Sequence, residues 1–421
     1  MMTTNHAHSY PAMIAAAAIA VTAACSGTNS MSTAVGSPSP MPSVTASGSP
    51  APTTDPQIHV ASGFVSNTIA SVSGARELVG LPNGDLLVAT AGSNIYIVPG
   101  AESAGKAGGA HQFITLPDSP AQGIAISTDH AAIYVATEYD VFKIRYTVGD
   151  QSEPASHAQK IASVRTGPIA PGSDGDVHTT SSVAVTSSTV YVGVGSSCNS
   201  CVEVDPTRAS IQAMNLDGTG MHTFATRIRN AIALTIDPAT KVLWAGGAGQ
   251  DRIPFGHPFE FMDAVSLQRG SPVDYGWPDC EENRVAYTHN ADCSGQAVPR
   301  IEFPAYATHI GAAFYPASAG GTYAFPSAYR GGLFVASHGS WHCCPSTPPE
   351  VAYVAMSGDT PVKPVNWNDP SVQWSPFMFN FGSTSGTSYI GRPTGIAVGS
   401  QGSLFVADDA NGVIYRIRPA H

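Results

Sequence analysis

The sequence predicts an all-β chain: a six-bladed β-propeller preceded by a signal segment and a flexible tether. Three observations carry this expectation. Short apolar strands recur with turn residues between them, and the recurrences come in pairs of fixed character. The composition is also poor in helix formers, with 42 Gly, 33 Pro and only 12% charged residues in 421.

The C-terminal unit shows the pattern most plainly. Gly395–Val398, Ser403–Ala407 and Val413–Ile417 read as three short strands, with Gly-Ser-Gln-Gly and Asp-Asp-Ala-Asn-Gly turns between them. The first strand recurs as Leu78–Leu81, Gly123–Ile126, Ser182–Val185, Ala231–Leu234 and Gly311–Phe314. Its third position is always small: Gly80, Ala125, Ala184, Ala233, Ala313 and Ala397. The second strand recurs as Leu86–Thr90, Ile133–Thr137, Val190–Val194, Leu243–Gly247, Leu333–Ser337 and Leu404–Asp408. A three-stranded unit cannot bury its own faces and needs copies beside it. Small residues on the first strand suit a crowded central axis. A two-sheet sandwich would not require so regular a pairing.

The propeller is expected to occupy residues 58–421. Residues 1–24 look like a bacterial lipoprotein signal: the apolar run Ala12–Ala24 is too short to span a bilayer and ends Val-Thr-Ala-Ala-Cys25-Ser-Gly. An ordinary secretory signal is the alternative, since the residues ahead of the run include no Lys or Arg. Residues 25–57, rich in Ser, Pro and Thr, form the tether. The protein is therefore expected to be exported to the periplasm or cell envelope and to touch the membrane only through lipid on Cys25. Cys25→Ala should release it, and mass spectrometry finding an unmodified mature N-terminus downstream of Cys25 would defeat the assignment. A formal charge of −11 without a basic cluster argues against nucleic acid as a partner.

Six cysteines remain, and an oxidising compartment makes disulfides their default state. Cys198 and Cys201 form Cys-Asn-Ser-Cys, and Cys280 and Cys293 bracket a polar loop. Both pairs are expected to be oxidised. Half a zinc site is the alternative for Cys198 and Cys201, with His342-Cys343-Cys344 as the nearest further ligands. The pairing of adjacent Cys343 and Cys344 stays open.

In a propeller the innermost strands begin together at one mouth of the channel. The residues just before each first strand are Arg76 and Glu77, Gln122, His178, Arg229 and Asn230, His309, and Arg392. Such a ring would attract anions and handle protons. Taken singly, an Arg there pairs a neighbouring carboxylate, and a His satisfies a carbonyl. The coincidence of six positions favours a site. No Ser-His-Asp series, phosphate loop or dinucleotide fingerprint stands out, so the chemistry is expected to reside in a bound cofactor.

Several stretches together make the chain recognisable. They are His178–Val185, Tyr191–Cys201, Arg229-Asn230, Asp274–Pro278, Tyr329–Trp341 and Gly391–Val398. From Val60 to Arg418 the chain resembles the sorbosone/glucose dehydrogenase family, soluble quinoprotein sugar dehydrogenases with six-bladed propellers. The resemblance implies pyrroloquinoline quinone as cofactor, a sugar or aldose-like substrate, and an electron acceptor that it does not identify. His178 matches the general base, and Arg229 the residue that polarises the quinone oxygen. Gln122, Asn230, Asp408 and Trp341 match further cofactor contacts, and Arg392 matches the partner of a cofactor carboxylate. Related proteins set an acidic calcium-binding stretch after the fourth-blade strand. Here the acidic residues of that stretch are Asp251, Glu260 and Asp263, so they are the candidate metal ligands. Asp176 lies one step further from His178 than the quinoprotein pattern places it, and Gly339 stands where a cofactor-gripping Lys is expected. Two other readings remain. One is a six-bladed lactonase-type hydrolase, which needs several Glu, Asp and Asn in the mouth. The other is a non-catalytic propeller that binds carbohydrate or protein.

Overall fold

The computed structural model describes residues 57–251, 256–266, 270–340, 346–382 and 388–420. The expected signal, most of the expected tether with Cys25, and Trp341, Cys343 and Cys344 lie outside them. Six antiparallel blades surround one axis, and their innermost strands are Ala75–Gly80, Gly123–Ile126, Ser181–Val185, Ala231–Ile236, His309–Phe314 and Pro393–Val398. Each of these pairs with the expected second strand, and Gly395–Val398 and Val413–Ile417 prove slightly longer than their sequence signals. No α-helix occurs among the described residues.

Three local strands make an incomplete blade, and the sixth blade is completed from the other end of the chain. Phe64–Ser71 pairs antiparallel with Val413–Pro419 and closes the ring. His59–Val60 adds to the outer edge of the fifth blade through Trp374–Phe379. A parallel pair, Val273–Asp274 on His222–Thr226, extends the third blade.

The apolar core lies between the blades. Leu87, Ile97, Ile124 and Phe142 fill one such space, and Phe64, Phe325, Phe334 and Phe377 another. Each blade therefore buries both faces against its neighbours, which is why an isolated unit would not persist. Towards the axis the first strands pass almost backbone to backbone. A Cβ at Gly395 would run into the Arg76 carbonyl, and one at Gly311 into that of Thr394. The small residues thus set the bore of a channel of about 410 Å³, lined by Glu77, Leu78, Ser182, Leu234, Ala313 and Ala397 among others.

Both expected disulfides are present. Cys198–Cys201 and Cys280–Cys293 have Cα separations of 6.0 and 5.6 Å, within the ordinary range for an unstretched bridge. The sulfurs of Cys198 and Cys201 are bonded to each other, so the zinc alternative fails.

Candidate active site

First strands begin, and second strands end, on the same face of the propeller. That face gathers two hydrogen-bonded networks from different blades. The first is built on Arg229, whose side chain is 4% exposed. Its Nη2 donates to Asp176 Oδ2 at 2.6 Å, Asn199 Oδ1 at 3.0 Å and Asp251 Oδ2 at 3.2 Å. Its Nε donates to the Asn199 carbonyl at 3.1 Å, which also accepts from Trp277 Nε1. Asn199 stands inside the Cys198–Cys201 loop, so the disulfide helps hold the groups that clamp the guanidinium.

His178 lies beside this cluster, partly buried. Its Nδ1 is 2.9 Å from Ser196 Oγ, and that hydroxyl donates its own proton to the Cys198 carbonyl at 2.7 Å. Ser196 Oγ can then only accept, so Nδ1 carries the imidazole proton and Nε2 is left as a bare lone pair. Burial and the nearby Arg229 charge hold His178 well below the usual histidine range. Its neutral, proton-accepting form therefore persists at neutral pH. Gly195 makes this approach possible, because a Cβ there would meet both the His178 side chain and Asn230 Oδ1. Asn230 itself is 7% exposed.

The second network spans four other blades. Asp409 accepts from Arg76 Nη1 at 2.6 Å and from His338 Nε2 at 2.9 Å. A carboxylate only accepts, so His338 Nε2 is protonated and its Nδ1 is the bare nitrogen. Arg76 Nε donates to Gln122 Oε1 at 3.0 Å. That bond fixes the amide orientation and leaves Gln122 Nε2 buried without a partner. Arg392 Nε and Nη2 donate to the carbonyls of His338 and Gly339, each at 2.9 Å, and its guanidinium stacks over Tyr389 at 5.0 Å. Among the described residues Arg392 forms no ion pair with a carboxylate.

Of the cofactor contacts expected from sequence, Gln122, Asn230, Arg229 and Arg392 all reach this face, as does His178. Four expectations need correction. Asp408 does not face the mouth. Its carboxylate accepts from Arg392 N at 2.9 Å, Asn411 N at 3.1 Å, Asn411 Nδ2 at 2.8 Å and Tyr415 OH at 3.2 Å, all within its own blade. The next residue, Asp409, turns the other way and enters the site. Arg229 is not free to act as a lone cation, because Asp176 and Asp251 neutralise it. His309 is completely buried, with Nδ1 3.1 Å from Ser337 Oγ and its ring against Phe303. Burial drives it down to about 3, so it is a neutral core residue rather than a proton carrier.

Fourth, Asp251, Glu260 and Asp263 do not form a metal site. Glu260 and Asp263 stand three positions apart on strand Glu260–Ala264 and so project to opposite faces. Glu260 accepts from the Thr308 amide, Asp263 from Tyr275 OH at 2.7 Å and Arg300 N at 3.2 Å, and Asp251 from Arg229. The only cluster of metal-ligating side chains among the described residues is Cys198, Cys201 and Glu203, whose sulfurs form the disulfide. Calcium does not fit these three carboxylates.

Sequence reasoning missed Asn199 and Asp409 as parts of the site, noted Asp176 only as standing one step out of the quinoprotein pattern, and held His338, with His309, as the fallback for the base. It also missed Arg165, whose Nη1 donates to Ser181 Oγ at 2.6 Å and whose Nη2 donates to the Thr180 carbonyl at 2.7 Å. Asn199 and Asp409 signal only by position, in loops that follow second strands, whereas Arg165 follows the outermost strand of blade two, Ala158–Ser163.

The buried acids and histidines give a pH signature. Burial pushes Glu77 and Glu260 up to about 8 and Glu281 to about 7, from an ordinary 4.5. Between those limits the folded chain holds protons that the unfolded chain has released. The stabilising share of these acids is complete below 4.5 and is lost as pH rises through 7 to 8. The depressed histidines act oppositely, losing stability as pH falls below 6.5. Each tenfold difference in proton affinity between folded and unfolded chain is worth about 1.4 kcal/mol. Stability should therefore fall by several kcal/mol between pH of roughly 6.5 and 8.5. Glu260→Gln should flatten that limb. Denaturant titrations across the range test this, and stability that rises with pH there would contradict it.

A family described as TrAA12-like matches residues 58–280 and 255–420. Among solved structures, the iodide structure of Trichoderma reesei Carbohydrate-Active Enzymes Family AA12 superposes with a TM-score of 0.70 at 18% identity, covering 88% of this chain and 100% of that one. The holo form of the Pyranose Dehydrogenase PQQ domain from Coprinopsis cinerea gives 0.68 at 18%, covering 86% and 97%. The soluble aldose sugar dehydrogenase from Escherichia coli, in its apo form, gives 0.58 at 14%, covering 85% and 99%. At these identities the likeness is one of fold. An uncharacterized protein of Borreliella burgdorferi is 24% identical over 233 residues, 54% of this chain, and the chain spans only 56% of that relative's length.

Proposed function

The chain belongs to the TrAA12-like family, and from that premise we propose that it is an exported, quinone-dependent oxidoreductase acting on a sugar or aldose-like hydroxyl. The single observation that carries the reading is the unmet demand at one mouth. Gln122 Nε2 is buried without a partner, and Arg392 keeps a cation with no carboxylate paired to it among the described residues. Both suit an anionic, carbonyl-rich group such as pyrroloquinoline quinone.

When bound, that quinone supplies a two-electron acceptor for the hydride leaving the sugar carbon. The protein's own contribution is binding and proton handling. The Nε/Nη2 edge of Arg392 is spent on two carbonyls, which leaves the Nη1/Nη2 edge to grip a carboxylate. Gln122 Nε2 would donate to a cofactor oxygen, and Asn230 lines the same approach. Arg229, fixed by Asp176, Asn199 and Asp251, keeps a preorganised donor environment near the reacting oxygen. His178 takes the hydroxyl proton on Nε2, while Ser196 fixes the tautomer through Nδ1.

The lactonase reading lacks support, since Asp176 and Asp251 are committed to Arg229, and Glu260 and Asp263 diverge. Titrating the quinone into the purified protein while following its absorption, then assaying aldoses with an artificial dye acceptor, tests the proposal. Absence of both binding and oxidation would leave the non-catalytic propeller as the better reading.

A further inference from the structure

The central channel is an apolar bore with a single acid at one end. The innermost strands of all six blades make its wall, from Glu77, one residue below Arg76, to Gly80, Ile236, Pro238 and Val398 at the opposite face. Three strand steps separate Glu77 from Gly80, a depth of about 10 Å. Arg76, Gln122, His178, Arg229, Asn230 and Arg392 do not line it, so the bore is distinct from the networks at the mouth. Ile126, Leu234, Ile236, Ala313 and Val398 stand inside the molecule yet are only partly buried, because they face open space rather than packed core. Ser182 Oγ donates to the Ala231 carbonyl at 3.1 Å and so belongs to the wall. Glu77 is the only titratable residue that lines the bore.

Glu77 has no partner there. Neither oxygen of its carboxyl group accepts a hydrogen bond among the described residues, and Oε1 is covered. The adjacent cation is engaged elsewhere, since Arg76 Nη1 and Nε donate to Asp409 and Gln122. Burial pushes Glu77 up to about 8, and the Arg76 charge only partly offsets this. A carboxyl left unpaired in this way costs free energy that a ligand cation would offset. A metal ion takes about six to eight oxygens, whereas Glu77 is the only carboxylate in the bore. An acidic ligand would meet a like charge. An apolar wall with one unpaired acid therefore matches a molecule that carries one cation on an apolar body.

We propose that the bore is a second binding site that takes a primary alkylamine, its ammonium paired with Glu77 and its chain lying along Ile124, Leu234, Ile236 and Val398 toward the far face. The inference does not depend on the function proposed above. The amine enters as its cation, and Glu77 gives up its proton to solvent as the ion pair forms, so the filled bore stays neutral. An extended octyl chain matches the depth of the bore.

Calorimetry with n-octylamine on the purified protein, in two buffers of different ionisation enthalpy, tests this. Wild type should bind and release about one proton per amine at neutral pH, because Glu77 is mostly protonated before binding and ionised after it. Octanol and octanoate keep the chain and lose the cation, and should bind more weakly by about tenfold or more. Glu77→Gln should weaken octylamine by about tenfold or more and abolish the proton release. Ala313→Phe, which fills the bore, should abolish binding of the amine. Failure of wild type to bind octylamine, equal affinity for octylamine and octanol, or unchanged proton release in Glu77→Gln overturns the proposal. So does an Ala313→Phe protein that folds and binds the amine as tightly as wild type. Comparing the three probes on wild type needs no variant, so it decides the question even where a substitution prevents folding.

Discussion

His178→Ala should leave quinone affinity nearly intact and lower turnover on the order of 10²–10⁴-fold. The reason is local. Ser196 Oγ has spent its proton on the Cys198 carbonyl, so His178 Nδ1 must donate to it, and Nε2 is the only nitrogen able to receive a proton. Because burial and Arg229 hold the imidazole below its ordinary 6.5, the acid limb of kcat/KM should also lie below that value. Ser196→Ala should lower turnover less, by loosening the tautomer, and should broaden that limb. Stopped-flow reduction of the bound cofactor by sugar separates chemistry from binding. If His178→Ala stays fully active, the base is the other bare nitrogen, His338 Nδ1, oriented by Asp409 at 2.9 Å. His309 is no longer a candidate, being buried and neutral.

Arg392→Ala should act on the cofactor first, weakening quinone affinity on the order of 10²–10³-fold, the worth of one or two charge-assisted hydrogen bonds. Arg392→Lys should not restore it. The Nε and Nη2 bonds to the His338 and Gly339 carbonyls hold the planar fork in place and leave Nη1 without a bonded carboxylate among the described residues. An ammonium is a point charge that cannot satisfy both carbonyls and also grip a carboxylate. Equilibrium titration of the quinone is the measurement. An Arg392→Ala protein that binds as tightly as wild type, whatever its turnover, would remove this residue from the cofactor site.

Some site features are legible in the sequence because they follow from strand position. Residues ahead of each first strand have to gather at one mouth once six units close into a ring, so His178, Gln122 and Arg392 can be named from spacing. Which partner each would meet cannot. Asp408 and Asp409 are equal candidates in a sequence, yet alternation along the strand end sends one into its own turn and the other to His338 and Arg76. Glu260 and Asp263 look like a ligand pair until the strand between them turns their side chains apart.

The sequence by itself determined the blades, their number and the two disulfides, because pairing within a hairpin and closure of a short loop depend on neighbours a few residues away. Only the tertiary structure decided how the ring closes, with Phe64–Ser71 pairing against Val413–Pro419 at the opposite end of the chain. It also decided that Arg229 is neutralised while Arg392 is left without a paired carboxylate among the described residues. Those outcomes depend on which loops from separate blades meet over the channel. Strand periodicity carries no information about contacts between charges that are distant in the chain.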